Sequence, residues 1–139
     1  MKRKKSFLCT GLALTLSALV AACAPAALVA KVTFVEPKNG ATVSSPVTVK
    51  MAAENFTVEP AGEVKAGAGH LHITVDGECT PAGQVVTKDD AHLHYGKGQI
   101  EATLDLSAGP HTLCLQAGDG THIALPGAGM TQKINITVK

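Results

Sequence analysis

Tryptophan is absent from the sequence, and only one tyrosine and three phenylalanines are present. Arginine is almost as scarce, since it occurs once, at Arg3. A nucleic-acid surface needs clustered cations and often stacking rings, and an aromatic sugar-binding platform needs the rings. The sequence therefore disfavours both kinds of binding. It also lacks the nucleophile motif of a Ser-His-Asp or Cys-His hydrolase and a phosphate-cradling glycine-rich loop before a helix, so these two classes of enzyme have no motif to support them.

The N-terminus has the pattern of an export signal. Residues 2–5 carry four cations and residues 8–20 carry no charge, as in the n-region and h-region of a signal peptide. The apolar run of about thirteen residues is shorter than the roughly twenty needed to cross a bilayer as a helix, so we expect it to be removed after targeting. Its removal leaves a mildly acidic chain, with eight lysines against eleven carboxylates.

The end of this segment predicts a lipid anchor. Leu19-Val20-Ala21-Ala22-Cys23 resembles the lipobox of bacterial lipoproteins, in which a cysteine after small residues is lipidated and becomes the new N-terminus. Ordinary cleavage near Ala24-Pro25-Ala26 is the alternative. The prediction is an exported protein, held on a membrane in the periplasm or at the cell surface through Cys23. Its predicted parts are a lipoprotein signal peptide at residues 1–22, a lipidated tether at residues 23–30 and one domain at residues 31–139.

The predicted domain contains only two cysteines, Cys79 and Cys114. An even pair in an oxidising compartment suggests a disulfide. Closing a loop of about 36 residues would stabilise the fold by roughly 3–4 kcal/mol in the chain-entropy model. Two separate buried thiols are the alternative, since a sequence does not give the distance between the two Cα atoms.

Short alternating segments rich in Val, Ile and Thr occupy the domain, separated by clusters of Gly, Pro, Asn and Asp. This pattern is typical of strands and turns. Because no segment has the helical period, it predicts an all-β fold, a small antiparallel immunoglobulin-like β-sandwich of about seven strands. A small closed barrel is the second choice. The predicted strands, of which the fourth is the weakest, span residues 31–36, 47–53, 71–75, 84–87, 99–106, 112–117 and 133–138.

The two-residue period of a strand assigns side chains to faces. In the third predicted strand, Leu71 and Ile73 share the face that should contact the core, whereas His70 and His72 should project away from the core together. Cys114 has the opposite parity to the leucines on either side of it. A disulfide exposed on the outer face of the sheet and a buried one are therefore both compatible with the pattern.

Histidine is the most informative residue type in the domain. His70 and His72 form one His-x-His pair, and His92 and His94 form another. Residues i and i+2 of a strand lie on one face about 6.5–7 Å apart, so their imidazoles can converge on one ion at nitrogen–metal distances of about 2.0 Å. The alternative is that these histidines decorate solvated positions or cap turns, which is the commoner case for any single histidine.

Topology predicts that the histidines meet. In an immunoglobulin-type Greek key, the connections that follow the second, fourth and sixth strands gather at one end of the sandwich. Histidines lie in or beside each of these connections, and an imidazole-rich site suits copper or zinc. The predicted metal ligands at this pole are His70, His72, His92, His94 and His122.

Three further side chains at the same pole could add ligands: Glu63, Asp119 beside His122, and Met130 near the last strand. Loop carboxylates are more often solvated, and methionine more often packs in a core, so both interpretations stand for each residue. His111 opens the sixth predicted strand and belongs at the opposite pole, where we expect a turn residue.

These motifs together resemble a known family. The segments Gly67-Ala68-Gly69-His70-Leu71-His72-Ile73 and His92-Leu93-His94-Tyr95-Gly96, and Gly118-Asp119 with His122, are similar to bacterial exported domains grouped as domain of unknown function 4399 (DUF4399). The resemblance covers nearly all of the chain from Val35 to Lys139. It implies a small all-β domain without an established activity, and motif histidines at His70, His72, His94 and His122.

Three classes of function fit this sequence. An exported metal-binding module, a copper or zinc carrier, buffer or sensor, is favoured by the histidines. A structural or interaction lipoprotein without metal, whose histidines only form loop hydrogen bonds, is the second class. The third is an enzyme like copper/zinc superoxide dismutase, whose His-x-His strand pair and nearby disulfide are similar to His70, His72, Cys79 and Cys114. That family uses arginine to guide its anionic substrate, and the mature chain has none.

Overall fold

The computed structural model of the protein describes residues 28–139. The predicted signal peptide and Cys23, the predicted lipidation site, lie outside the described residues. Within the described range, no helix is long and apolar enough to span a membrane. Residues 28–139 form nine strands, β1 (Lys31–Glu36), β2 (Thr42–Val43), β3 (Val47–Glu54), β4 (Thr57–Val58), β5 (Ala68–Val75), β6 (His92–Tyr95), β7 (Glu101–Leu104), β8 (Gly109–Gly118) and β9 (Thr131–Val138).

The strands form two sheets, which confirms the predicted β-sandwich. One sheet has the order β1-β3-β7, and the other has the order β2-β9-β8-β5-β4 with β6 also paired to β5. All the longer pairings are antiparallel, and the two-residue strands β2 and β4 pair in parallel with β9 and β5. The longer strands are therefore divided between the sheets as in an immunoglobulin-type sandwich.

The core lies between the sheets and is built by alternation along the strands. In β3, every second residue from Val47 to Met51 is buried, and β5 contributes Leu71 and Ile73, both fully buried. Each such side chain stabilises the fold by roughly 1.5–3 kcal/mol. The predicted core face of the third strand is thus confirmed, because the hydrophobic alternation fixes which face of each strand points inward.

Two predictions about the segment between β5 and β7 are wrong. Residues 84–87 do not form a strand, since this stretch makes only an isolated bridge, from Val85 to Ile123. The second His-x-His pair, expected in a connection, forms β6 instead. In β6, Leu93 and Tyr95 pack against the core, and the alternation of the strand directs His92 and His94 to the outer face.

The outer face of β5 is covered by other parts of the chain, contrary to the simple expectation from strand parity. His70 and His72 do point away from the core, but their exposed fractions are only 0 % and 1 %. The predicted disulfide between Cys79 and Cys114 is present, with Cα atoms 5.6 Å apart. Cys114 is buried on the outer face of β8, so the bridge attaches a covering segment to the sheet.

Candidate metal centre

The centre of the site is the His-x-His pair of β5. The imidazole ring centroids of His70 and His72 are 4.7 Å apart. Gly118 of strand β8 leaves room for the His72 ring, because a Cβ atom added at this glycine would lie only 3.0 Å from His72 Nε2. The rigid central strand therefore fixes both rings side by side on the covered outer face.

His94 reaches the pair from the neighbouring strand. In the antiparallel ladder it is the direct partner of His72, so its side chain emerges on the same face. Its ring centroid lies 4.9 Å from that of His70 and 5.1 Å from that of His72. A Cβ atom at Gly96 would collide with the His94 imidazole, which explains why glycine stands at this position.

His122 reaches the cluster from the connection between β8 and β9. Its backbone is left-handed, with φ 72°, a conformation that is unfavourable by about 1–2 kcal/mol for a residue with a side chain. Asp119 shapes the turn, since its Oδ1 accepts hydrogen bonds from the amides of Thr121 and Ile123 at 2.8 and 3.0 Å. The turn thereby places His122 Nε2 3.1 Å from His94 Nε2.

Three imidazoles have the spacing of a metal site. One ring nitrogen from each of His70, His94 and His122 lies within 4.8 Å of the other two. Nitrogens bound tetrahedrally to one ion at about 2.0 Å are about 3.3 Å apart, so small side-chain rotations would complete the geometry. His72 lies at the edge of this group, with its ring centroid 6.0 Å from that of His122.

The ring nitrogens of the central pair are buried without hydrogen bonds. Nδ1 and Nε2 of both His70 and His72 have no partner among the residues that the structure describes. A buried polar group without a partner destabilises a protein by about 1–3 kcal/mol, so such groups are rare and call for an explanation. A metal ion would take one lone pair from each ring that binds it.

Burial also keeps these imidazoles neutral. It lowers the pKa of His70 to about 4, with a further lowering from positive charge on His94 and His122. It lowers the pKa of His72 to about 3, with His70 as the next cause, and it lowers the pKa of His94, again assisted by His122. Neutral imidazole is the form that binds metal, because protonation occupies the lone pair.

Residues 49–139 match the family described as a domain of unknown function, DUF4399. The chain belongs to this family. The matched range contains all four clustered histidines, His70, His72, His94 and His122. No curated protein and no solved structure matches the chain.

Four predicted ligands lie apart from the cluster in this DUF4399 domain. His92 pairs with Thr74, two positions further along the ladder than His94, and its Nδ1 lies 2.8 Å from Asp89 Oδ1. Met130 is part of the core between the sheets. Of the remaining two, Asp119 uses its carboxylate to shape the turn before His122, and Glu63 has an exposed side chain.

His111 lies at the opposite end of β8, within the strand and not in a turn as predicted. Its Nδ1 lies 2.8 Å from Asp76 Oδ2, and its Nε2 lies 2.9 Å from the carbonyl oxygen of Ser107. The two acceptors, first the carbonyl and then the carboxylate, raise the pKa of His111. Although Ser, His and Asp meet here, Ser107 Oγ lies 3.5 Å from His111 Nε2, which is longer than the roughly 2.6–3.2 Å of a proton-transfer contact, and Nε2 lies closer to the Ser107 carbonyl oxygen.

The glycines that accommodate the cluster were not predicted as part of the site. Gly96 and Gly118 each leave space for one imidazole of the DUF4399 domain. A signal for the first was present in the sequence, because the glycine lies two residues after His94, on the same side of an extended chain. The role of Gly118 follows only from the pairing of β8 with β5, which the local sequence does not predict.

Proposed function

We propose that this domain binds a copper or zinc ion through His70, His94 and His122, with His72 beside the ion, as a metal carrier, buffer or sensor outside the cytoplasm. The observation that carries the proposal is the pair of buried imidazoles, on His70 and His72, whose nitrogens have no protein partner in the described part of the chain. A metal ion bound by His70 would occupy one of these nitrogens, and His72 lies beside that ion as a further imidazole donor.

The type of donor narrows the choice of metal. All the clustered ligands are imidazole nitrogens, which suit zinc and copper. Calcium and magnesium instead prefer several oxygen ligands, and the nearby Asp119 carboxylate is already engaged by backbone amides. Thiolate ligands are not offered by Cys79 and Cys114, since the two are bridged.

The other two classes of function have weaker support. Histidines that served only to satisfy loop hydrogen bonds would have partners, whereas the nitrogens of His70 and His72 have none within residues 28–139. A metalloenzyme must admit a substrate to its metal, and the almost complete burial of the same two rings favours binding over catalysis. The disulfide supports an oxidising compartment, as expected for an exported lipoprotein.

The proposal is tested by calorimetric titration of Cu(II) and Zn(II) into the oxidised protein. We expect wild type to bind at least one of them more tightly than about 0.1 mM. His122→Asn should weaken binding at least about tenfold, because asparagine tolerates the left-handed backbone but lacks the imidazole. His92→Gln is the matched control and should leave affinity unchanged. Binding weaker than about 0.1 mM for both metals, or equal losses in the two variants, would contradict the proposal.

A further inference from the structure

The Cys79–Cys114 disulfide is linked to the histidine cluster through a short segment of chain. We propose that the disulfide holds His122 in its metal-binding position, so that reduction by a dithiol weakens metal binding and bound metal protects the disulfide from reduction. The effect of reduction on metal binding rests on the proposed function. The positional half of the inference, that the disulfide holds His122 in place, concerns the fold alone.

The link begins on the outer face of β8. The disulfide fixes Cys79 against buried Cys114. The next residue, Thr80, is held by Gln116, because its amide donates to Gln116 Oε1 at 3.0 Å and its carbonyl accepts from Gln116 Nε2 at 2.6 Å. Gln116 is itself buried and is the ladder partner of His72. Residues 79–86, the tethered segment, thus start beside the histidine pair.

The tethered segment then pairs with the connection that carries His122. The amide of Gly83 donates to the Ala124 carbonyl at 2.9 Å, and the amide of Ala124 donates to the Gln84 carbonyl at 2.9 Å. The amide of Val86 donates to the carbonyl of His122 itself at 2.8 Å. The Val86 side chain is buried, with an exposed fraction of 3 %. Position 122 is therefore held directly by a segment whose other end is the disulfide.

This support matters because the His122 turn is unfavourable by itself. A left-handed histidine relies on its surroundings to stay in that conformation. In reduction, a dithiol thiolate attacks the Sγ of the half-buried Cys79, the Sγ of Cys114 leaves and is protonated, and the second dithiol thiolate releases Cys79 while the reductant becomes a disulfide. Each cysteine gains one electron and one proton. The tethered segment then opens more often, and apparent metal affinity falls with the fraction of molecules that keep His122 in place.

The binding test compares oxidised wild type with Cys79→Ala/Cys114→Ala. Zn(II) is the probe, since it does not oxidise thiols, and the alanines remove thiols as alternative ligands. We expect the double variant to bind Zn(II) at least about tenfold more weakly. Asp76→Ala, which breaks the His111 contact at the opposite end of β8, is the control for general destabilisation and should retain wild-type affinity.

Reciprocity gives a second readout. Saturating Zn(II) should lower the midpoint potential of the disulfide by about 30 mV for each tenfold of coupling. The shift should vanish in His122→Asn, which keeps both cysteines. A zinc-independent potential in wild type, together with a zinc affinity within about twofold of wild type in the cysteine double variant, would overturn the inference.

Hydrogen exchange without metal tests the positional half. In the double variant, the amides of Val86 and Ala124 should exchange faster, while amides in the ladder between β8 and β9 keep their protection. If oxidised wild type binds no zinc, the proposed function fails, and the exchange rates still decide whether the disulfide holds position 122. Unchanged exchange at both amides would refute that role.

Discussion

Replacing His70 and His72 together by leucine should stabilise the metal-free protein and abolish metal binding. Each imidazole is almost fully buried, and its nitrogens find no hydrogen-bond partner in the described chain. An unsatisfied buried polar group is unfavourable by about 1–3 kcal/mol, whereas leucine has a similar volume and no polar atom. The two imidazoles together account for about 2–6 kcal/mol, and imperfect packing would offset up to about 1.5 kcal/mol at each of the two positions. We therefore expect a net gain of about 1–3 kcal/mol in the free energy of unfolding.

Urea denaturation with and without Zn(II) measures both effects. At a free metal concentration of about 100 times Kd, wild type should gain about 2.7 kcal/mol, and the double leucine variant should gain nothing. His92→Leu, outside the cluster, is the control and should keep the metal-dependent gain. A double variant that is less stable than metal-free wild type, or that still gains stability from Zn(II), would refute the reasoning.

Three other perturbations give separate tests. Because the pKa of His70 is lowered to about 4 and that of His72 to about 3, the unfolded chain binds protons below about pH 6.5 that the folded chain does not. The free energy of unfolding of the metal-free protein should thus fall from about pH 6.5 towards pH 4, by up to about 1.4 kcal/mol per pH unit for each histidine. Denaturation at several pH values should show a shallower slope in the double leucine variant, and equal slopes would contradict this. Gly96→Ala should displace His94 and weaken metal binding at least about tenfold while the circular dichroism of the fold is kept, because the added Cβ meets the imidazole. If Cys23 is lipidated, Cys23→Ala should leave soluble or unprocessed protein, and normal processing with unchanged membrane association would contradict the anchor.

The main strands could be predicted because their side-chain period is fixed by burial on one face. The boundaries predicted for the first strand, residues 31–36, coincide with β1, and the hydrophobic parity of β5 and β8 gives the correct inward face. The two-residue strands β2 and β4 are too short to carry a period. Tertiary contacts decide the pairing of such short strands, and the strand propensity of the local sequence does not predict it.

The sequence predicts the histidines that form the site, but it does not predict that two of them are buried. Strand parity placed His70 and His72 on the outer face, but alternation cannot show whether that face is solvated or covered. The connection after β8 brings His122 against this face, and residues 79–86 hold that connection through hydrogen bonds between distant positions; both segments are irregular in sequence. The His-x-His spacing alone predicts that His92 joins His94 at the site, but His92 lies two positions further along the ladder and contacts Asp89 instead.

Histidines lie near both ends of β8, and the hydrogen-bond acceptors around each imidazole decide whether its nitrogens hold protons or keep a free lone pair. His111 faces a carbonyl and a carboxylate, its pKa is raised, and its ring holds protons as hydrogen-bond donors. The clustered imidazoles face one another, and burial lowers the pKa of His70 and His72. A lone pair that is neither protonated nor hydrogen-bonded is what a metal ion requires. The unpartnered nitrogens of the buried pair, within the described residues, therefore favour metal binding beside this end of β8, whereas the nitrogens of His111 are already engaged by acceptors at the other end.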